Sequence, residues 1–211
     1  MGRGGQEQVG GGVNRDVTIV TPTLPGRADV LQRAIRSCLT QEEPPRAFAI
    51  EVDADREGSG PTRTRALRRV ATTWTAFLDD DDELRPVHLR RLLDVAAETG
   101  ADVVAPWFTI LGPDGRKRLD WDPFPQHRGR QYDLADPHIF PITCLVRTEV
   151  AQLGEFPAHH VDGWGGDDFA YWMQLARAGA RIVNIEDRTW WWWHHGRNTS
   201  GLARKAEALY R

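Results

Sequence analysis

The chain is short of several things, and each shortage removes a class of function. Only two of its 27 basic residues are lysines, Lys117 and Lys205, so nearly all its positive charge is guanidinium. Base composition of the gene and phosphate recognition account equally well for such a bias. It has two cysteines, Cys38 and Cys144. Both sit in apolar surroundings far apart in sequence, as reduced core residues do and a disulfide framework does not. No apolar run approaches the ~20 residues that a membrane-spanning helix needs, and no secretory leader pattern opens the chain. Charge of one sign is also missing. A net charge of -3 over 211 residues, with a pI near 6.2, gives no bulk electrostatic case for nucleic-acid or membrane binding. No internal repeat is evident. What remains is the expectation of a soluble, cytoplasmic globular chain of about one domain.

Against these absences stands an alternation of short apolar runs and helical spacings. Residues 1–14 are glycine-rich and polar, the composition of a disordered tail. Val17 to Thr21 is a β-branched strand stopped by Pro22, and Val30, Leu31, Ala34, Ile35, Cys38 and Leu39 then recur at helical spacing. Ala47 to Val52 reads as a second strand, Thr62 to Ala71 as a helix, and Trp74 to Leu78 as a third strand. This order predicts an α/β fold, a mainly parallel, doubly wound sheet flanked by helices. A helix over Pro86–Glu98 closes at Gly100. Ala101–Ile110 and Ile142–Arg147 read as strands, and Thr148–Leu153 as a short helix. Arg116–Pro137 shows little regular pattern. A helix over Phe169–Ala178, a last core strand over Ala180–Ile185 and a closing helix within 202–211 complete one domain spanning 15–201.

In a parallel sheet of this kind ligands bind beyond the carboxyl ends of the strands. Three such ends come in succession: Thr21-Pro22-Thr23, Asp53-Ala54-Asp55, and the acidic run Asp79-Asp80-Asp81-Asp82-Glu83. Five adjacent carboxylates raise one another's pKa unless a cation sits among them. Mg²⁺ or Mn²⁺, which takes oxygen ligands and bridges carboxylates to phosphates, resolves that repulsion. The competing reading is the solvated first turn of a helix, where acidic residues favour the macrodipole. Further on, Asp167 and Asp168 follow Gly163-Trp164-Gly165-Gly166 at a helix start. Either they cap free amides or one of them is a general base. Trp190 to Trp193 is the most unusual run. In a strand, alternate rings face opposite sides, so one or two line a cleft and the rest pack the core. His194 and His195 follow, as ligands or as packed aromatics.

Laid out in this order, the segments resemble the family 2 glycosyltransferases of the GT-A fold, from about Val17 to Ser200. Val17 to Thr23 is similar to the family's opening strand and nucleotide-edge turn. Phe77 to Leu84 resembles its Asp-x-Asp segment. Gly166-Asp167-Asp168-Phe169 resembles its Glu-Asp helix, and His195 with Asn198 and Ser200 its late histidine segment. The resemblance implies that Asp81, with Asp79 and His195, holds Mn²⁺ or Mg²⁺ against the donor diphosphate, His195 being preferred to His194 for its spacing to Asn198. It implies a donor edge of Thr21, Pro22, Thr23, Asp79 and Asp80, with Asp53 or Asp55 at the nucleobase. Arg63, at the family's arginine position, contacts phosphate, stabilises the rim, or faces solvent. Asp168, assisted by Asp167, would be the base of an inverting transfer. Asp167 stands where the family more often has Glu, and the usual Asp-Asp-Gly-Ser pattern is absent at Asp53–Asp55.

The acceptor side is expected at Trp164, Gly165, Gly166 and Trp193. That leaves Asp82 and Glu83 to the start of the next helix. The function implied is metal-dependent transfer of a sugar from a UDP- or GDP-sugar to an acceptor hydroxyl. The acceptor is a glycan, a small molecule, a protein or a modified nucleic acid. Two other readings are a nucleotidyltransferase on a related fold and a non-catalytic Ca²⁺-dependent carbohydrate-binding module. Thr21–Arg27 has one glycine and no lysine, against the first. The helix–strand alternation stands against the second.

Overall fold

A computed structural model of the chain describes residues 14–121, 141–158, 167–195 and 198. Strand β1 (Val17–Thr23) is buried along its whole length, flanked by β2 (Ala47–Val52) and β3 (Trp74–Phe77), both parallel to it. Helices α1 (Ala28–Leu39) and α2 (Ser59–Leu67) are the crossovers between them. After β3 come β4 (Glu83–Leu84), α3 (His88–Thr99), β5 (Val103–Leu111), β6 (Lys117–Trp121) and β7 (Leu145–Arg147). Then follow α4 (Thr148–Ala151), α5 (Asp167–Arg177) and β8 (Ile182–Trp193).

Among the described residues the sheet has eight strands, ordered β2-β1-β3-β7-β5-β8-β4, with β6 paired to β5. The pairings orient β1, β2, β3, β5 and β8 one way and β4, β6 and β7 the other. The mainly parallel expectation therefore holds, with three reversed strands. Period-2 alternation splits the interior into two layers. Val17, Ile19, Trp74 and Ala76 join Leu89, Leu92 and Trp190 on one face. Val20 and Phe77 join Phe156, Tyr171 and Trp172 on the other. Helix α3 ends at Gly100, whose φ of 68° suits glycine.

Three sequence expectations change. Asp82 and Glu83 do not open the next helix: Glu83 and Leu84 form β4, paired with Trp191 and Trp190, and α3 begins at His88. Leu84 is buried against β8, and that burial outweighs the helix-start signal of an acidic run. Lys117 to Trp121 is a strand, although its charged sequence hides any alternation, because β5 supplies its ladder. The last core strand and the tryptophan run are one strand, β8, joined across a register shift opposite Trp107. The closing helix and the tail at 1–13 lie outside the described residues.

Because five strands share a direction, the ends of β1, β2, β3 and β8 open on one rim of the sheet. The start of α5 reaches the same rim, since α5 precedes β8 in the chain and leads back to the opposite edge. This rim carries nearly every side chain singled out from the sequence.

Candidate active site

The rim is organised by two arginines. The first is Arg27, directly after the Pro25-Gly26 turn that ends β1. Its guanidinium grips Asp80 with two bonds, Nε to Oδ2 and Nη2 to Oδ1, both 2.8 Å, and Nη2 also reaches Asp81 Oδ2 at 2.7 Å. Thr23 Oγ1 donates to Asp80 Oδ2 at 2.6 Å. Both Asp80 oxygens are thus occupied within the chain. Asp80 fixes the strand-end loop by this paired geometry.

Asp81 is placed differently. Its Oδ2 also meets His195 Nε2 at 2.9 Å, and no described residue hydrogen-bonds its Oδ1. His195 is held by a short clamp: its backbone N–H donates to Asn198 Oδ1 (2.9 Å), and Asn198 Nδ2 donates to the Trp193 carbonyl (2.8 Å). His194 instead stacks on Trp192, the centroids 5.4 Å apart, with its backbone tied to Leu111. Of the two histidines, His195 is the one that reaches the acidic run.

The second organiser is Arg63, whose side chain is only 3 % exposed. Nη2 donates to Asp79 Oδ1 at 2.7 Å, while Nη1 is shared between Asp167 Oδ2 (3.2 Å) and Asp168 Oδ1 (3.3 Å). Its guanidinium also lies 5.0 Å over the Phe156 ring. A buried arginine needs partners to offset its desolvation, and here three carboxylates from two distant segments supply them. The solvent-facing alternative for Arg63 is excluded. Backbone geometry supports this burial. Gly58, at φ 107°, starts α2, and a Cβ on Gly60 would sit 2.2 Å from the Pro157 carbonyl oxygen. Glycine at these two positions lets α2 approach the segment before α5 closely.

Electrostatics divide the carboxylates. Burial pushes Asp168 up to about 8, against the pull of Arg63 and helped by Asp167 and Asp79. Asp79 is raised for the same leading reason. Asp82 is raised well above the ordinary carboxylate range by burial, then by Asp81 and Asp79. Asp82 is not part of an open surface: it is 2 % exposed and its Oδ1 accepts the Trp193 N–H at 3.0 Å. It ties the acidic run to the end of β8.

The remaining expected residues fall as follows. Thr21, Pro22 and Thr23 are buried at the end of β1. Asp53 is buried and accepts the N–H groups of Glu57 and Gly58 (2.8 and 2.9 Å), whereas Asp55 is exposed. In the tryptophan run Trp190 and Trp192 belong to the core. Trp191 and Trp193 face the other side, each under an arginine: Arg85 at 5.2 Å and Arg33 at 4.1 Å. Arg33 also donates to the Asp81 carbonyl (2.8 Å) and pairs with Glu83 (2.9 Å). Trp164, Gly165 and Gly166 lie outside the described residues. Arg27 and Arg33 were not singled out from the sequence. The scarcity of lysine was their only signal, and it does not say which arginines matter.

The expected metal group comes together in part. Asp81 and His195 converge, but Asp79 turns Oδ1 to Arg63. Among the described residues no three ligating side chains lie close enough to hold an ion. A carboxylate with a spare oxygen beside an imidazole is a suitable partial set for Mn²⁺ or Mg²⁺, which complete their shells with water and phosphate oxygens.

A mixed α/β domain with carboxylates gathered at one strand-end rim is the architecture of a GT-A glycosyltransferase, and comparison with known proteins agrees. The model of the family described as "Glycosyl transferase family 2" matches residues 33–153, more than half of the chain. The chain belongs to glycosyl transferase family 2. Among curated proteins it is similar to the succinoglycan biosynthesis protein ExoO of Rhizobium meliloti. The two are 30 % identical over 125 residues, which cover 48 % of this chain and 35 % of that protein. Among solved structures it is similar to residues 1–349 of S. aureus TarS, with a TM-score of 0.66 and 17 % identity, covering 83 % of this chain and 60 % of that one. The same TarS region in complex with UDP-GlcNAc gives a TM-score of 0.65 at 17 % identity, with 84 % and 58 % covered. These structural likenesses establish the fold. The chain spans about a third of the length of the curated relative and 60 % of the solved one. No helix among the described residues is long and apolar enough to cross a membrane.

Proposed function

We propose that this domain transfers a sugar from a nucleotide-diphospho-sugar to an acceptor hydroxyl with inversion, and that Asp168 is the general base. The observation that carries this reading is the Arg63 junction. One buried guanidinium joins Asp79, at the end of β3, to Asp167 and Asp168, at the start of α5. A donor side and a base side are thereby held at a fixed separation, and such positioning is a large part of what a transferase contributes. UDP and UDP-GlcNAc in the TarS complexes support a UDP-sugar as the first donor to test.

In this scheme the acceptor hydroxyl gives its proton to the Asp168 carboxylate as its oxygen attacks the anomeric carbon. The bond from that carbon to the diphosphate oxygen breaks, and the electron pair leaves with the nucleoside diphosphate. Attack opposite the leaving group inverts the anomeric centre. A base raised to about 8 is matched to proton abstraction near neutral pH. Asp167 and Arg63 orient it. Asp81 and His195 would hold Mn²⁺ or Mg²⁺, which offsets charge on the departing diphosphate. Asp53 shapes the loop at the nucleobase end, and Trp193 borders the acceptor side.

The test is release of nucleoside diphosphate from a panel of UDP- and GDP-sugars with Mn²⁺, alone and with candidate acceptor glycans. Release that Asp168→Asn abolishes while UDP still binds supports the assignment. Release unaffected by that substitution would remove Asp168 from the reaction.

A further inference from the structure

A second charged site lies away from the carboxylate rim, in a cavity of about 520 Å³ between α3, β6 and the middle of β8. Its described lining includes five cationic side chains, Arg85, Arg90, Arg91, Lys117 and Arg188, against two carboxylates, Asp120 and Asp187. The surplus is three positive charges. Partners account for some of them. Arg91 pairs with Asp187 at 2.7 Å, Lys117 with Asp120, and Arg90 with Glu42 and Asp94.

Arg85 and Arg188 are left over. Among the described residues no carboxylate comes within 4 Å of Arg85, whose Nη2 donates to Thr109 Oγ1 at 2.7 Å. Among the described residues the one ion-pair contact of Arg188 is Asp120 Oδ1 at 3.9 Å, and that carboxylate already accepts from Thr109 and Lys117. The Nε–H groups of both arginines are buried without an acceptor. Burial and the neighbouring Arg188 lower the pKa of Arg85, while Asp120 opposes them. The neighbouring His88, buried and bonded to Thr189, is lowered to about 3 and adds no charge.

The arrangement is built into the fold. The register shift of β8 opposite Trp107 sets Arg188 over the Trp107 ring at 5.1 Å, and the Arg85 N–H is bound to the Thr189 carbonyl at 2.8 Å. Two half-buried guanidiniums held on aromatic faces, short of carboxylates and bordering a cavity, are what oxyanion recognition requires.

We propose that this cavity is an oxyanion-binding site, taking a phosphate, sulfate or carboxylate group distinct from the donor diphosphate. Thr189 lies four residues before Trp193, about 13 Å along the strand. The site therefore suits either a free phosphate ester or an anionic unit further along a bound acceptor chain. Oxyanion binding there does not depend on the transferase reading; the acceptor-chain source rests on it.

The experiment is calorimetric titration of the full chain with inorganic phosphate, at constant ionic strength in sodium chloride, with saturating UDP to occupy the donor cleft and without divalent cations, which would themselves take up phosphate. Saturable phosphate binding is expected. Arg188→Gln should weaken it about tenfold or more, from the loss of a charge-assisted contact, while changing UDP affinity by less than about twofold. Should Arg188→Gln fold poorly, Lys117→Gln, at an exposed side chain, is expected to weaken phosphate about threefold. A second arm compares oligogalacturonate with neutral maltooligosaccharide of equal length. Preference for the anionic chain, lost in Arg188→Gln, assigns the site to an acceptor unit, and phosphate binding without that preference assigns it to a free ester. No saturable phosphate binding, or phosphate affinity unchanged in both variants, overturns the proposal.

Discussion

Removing Arg63 should both loosen the fold and make its stability respond differently to pH. The guanidinium is almost fully buried, makes bonds of 2.7, 3.2 and 3.3 Å to three aspartates, and lies over Phe156. Arg63→Met keeps much of the stem volume and deletes the charge. Breaking a buried ion cluster by removing one partner costs about 3–5 kcal/mol, because the carboxylates left behind are uncompensated. The lost contact with Phe156 adds about 0.5–2 kcal/mol. Arg63→Lys restores a charge but cannot fork to two segments, so about 1–3 kcal/mol is expected, a single charge-assisted contact's worth.

The assay is urea unfolding at pH 9 and pH 5. Asp168 is already raised above its unfolded value, so the wild-type fold binds a proton there that the unfolded chain has lost. Its contribution to stability therefore falls as pH rises from about 4 towards 8 and levels off above it. Arg63 pulls that pKa down, so deleting the arginine raises it further and carries the decline past pH 8. The loss in Arg63→Met should thus be larger at pH 9 than at pH 5. A loss under about 1 kcal/mol at both pH values, which is surface-pair behaviour, would refute the junction.

Further outcomes follow from the same geometry. Asp168→Asn should lower turnover by about 10²–10⁴-fold, and the wild-type kcat/KM should rise with pH to a midpoint near 8, measured on the free enzyme with a fixed donor. Asp82→Ala should cost about 1–3 kcal/mol in thermal or urea unfolding by leaving the Trp193 N–H without its acceptor. Asp82→Asn keeps an acceptor oxygen and should lose much less. Gly60→Ala should be strongly destabilising, by roughly 1–3 kcal/mol as overpacking, since its Cβ meets a backbone carbonyl at 2.2 Å.

Much of the architecture could be read from the sequence because the signals were local. The β-branched run at Val17 to Thr21, the helical spacing from Val30 to Leu39 and the stop at Gly100 each state their own element. The reversed strands could not be read so. Glu83–Leu84 and Lys117–Trp121 are strands only because β8 and β5 stand beside them, and two residues or a charged stretch carry no period. The aspartates and His195 announced themselves by adjacency and spacing. What holds them did not. Arg27 looks like part of a turn and Arg63 like any helix residue until the ends of β1, β3 and α5 are brought to one rim. Asp82 reads from the sequence as part of a helix start, yet it is buried and accepts the Trp193 N–H at the end of β8.

The central claim is that the acidic run is the donor half of a transferase site, with Asp81 and His195 receiving a metal-bound diphosphate. Its most direct measurement is UDP affinity with and without Mn²⁺, in the wild type and in folded Asp81→Ala. Mn²⁺ should tighten UDP binding in the wild type, and Asp81→Ala should lose at least about tenfold of that gain, about 1.4 kcal/mol. UDP binding that ignores both the metal and the substitution would contradict the assignment of this site.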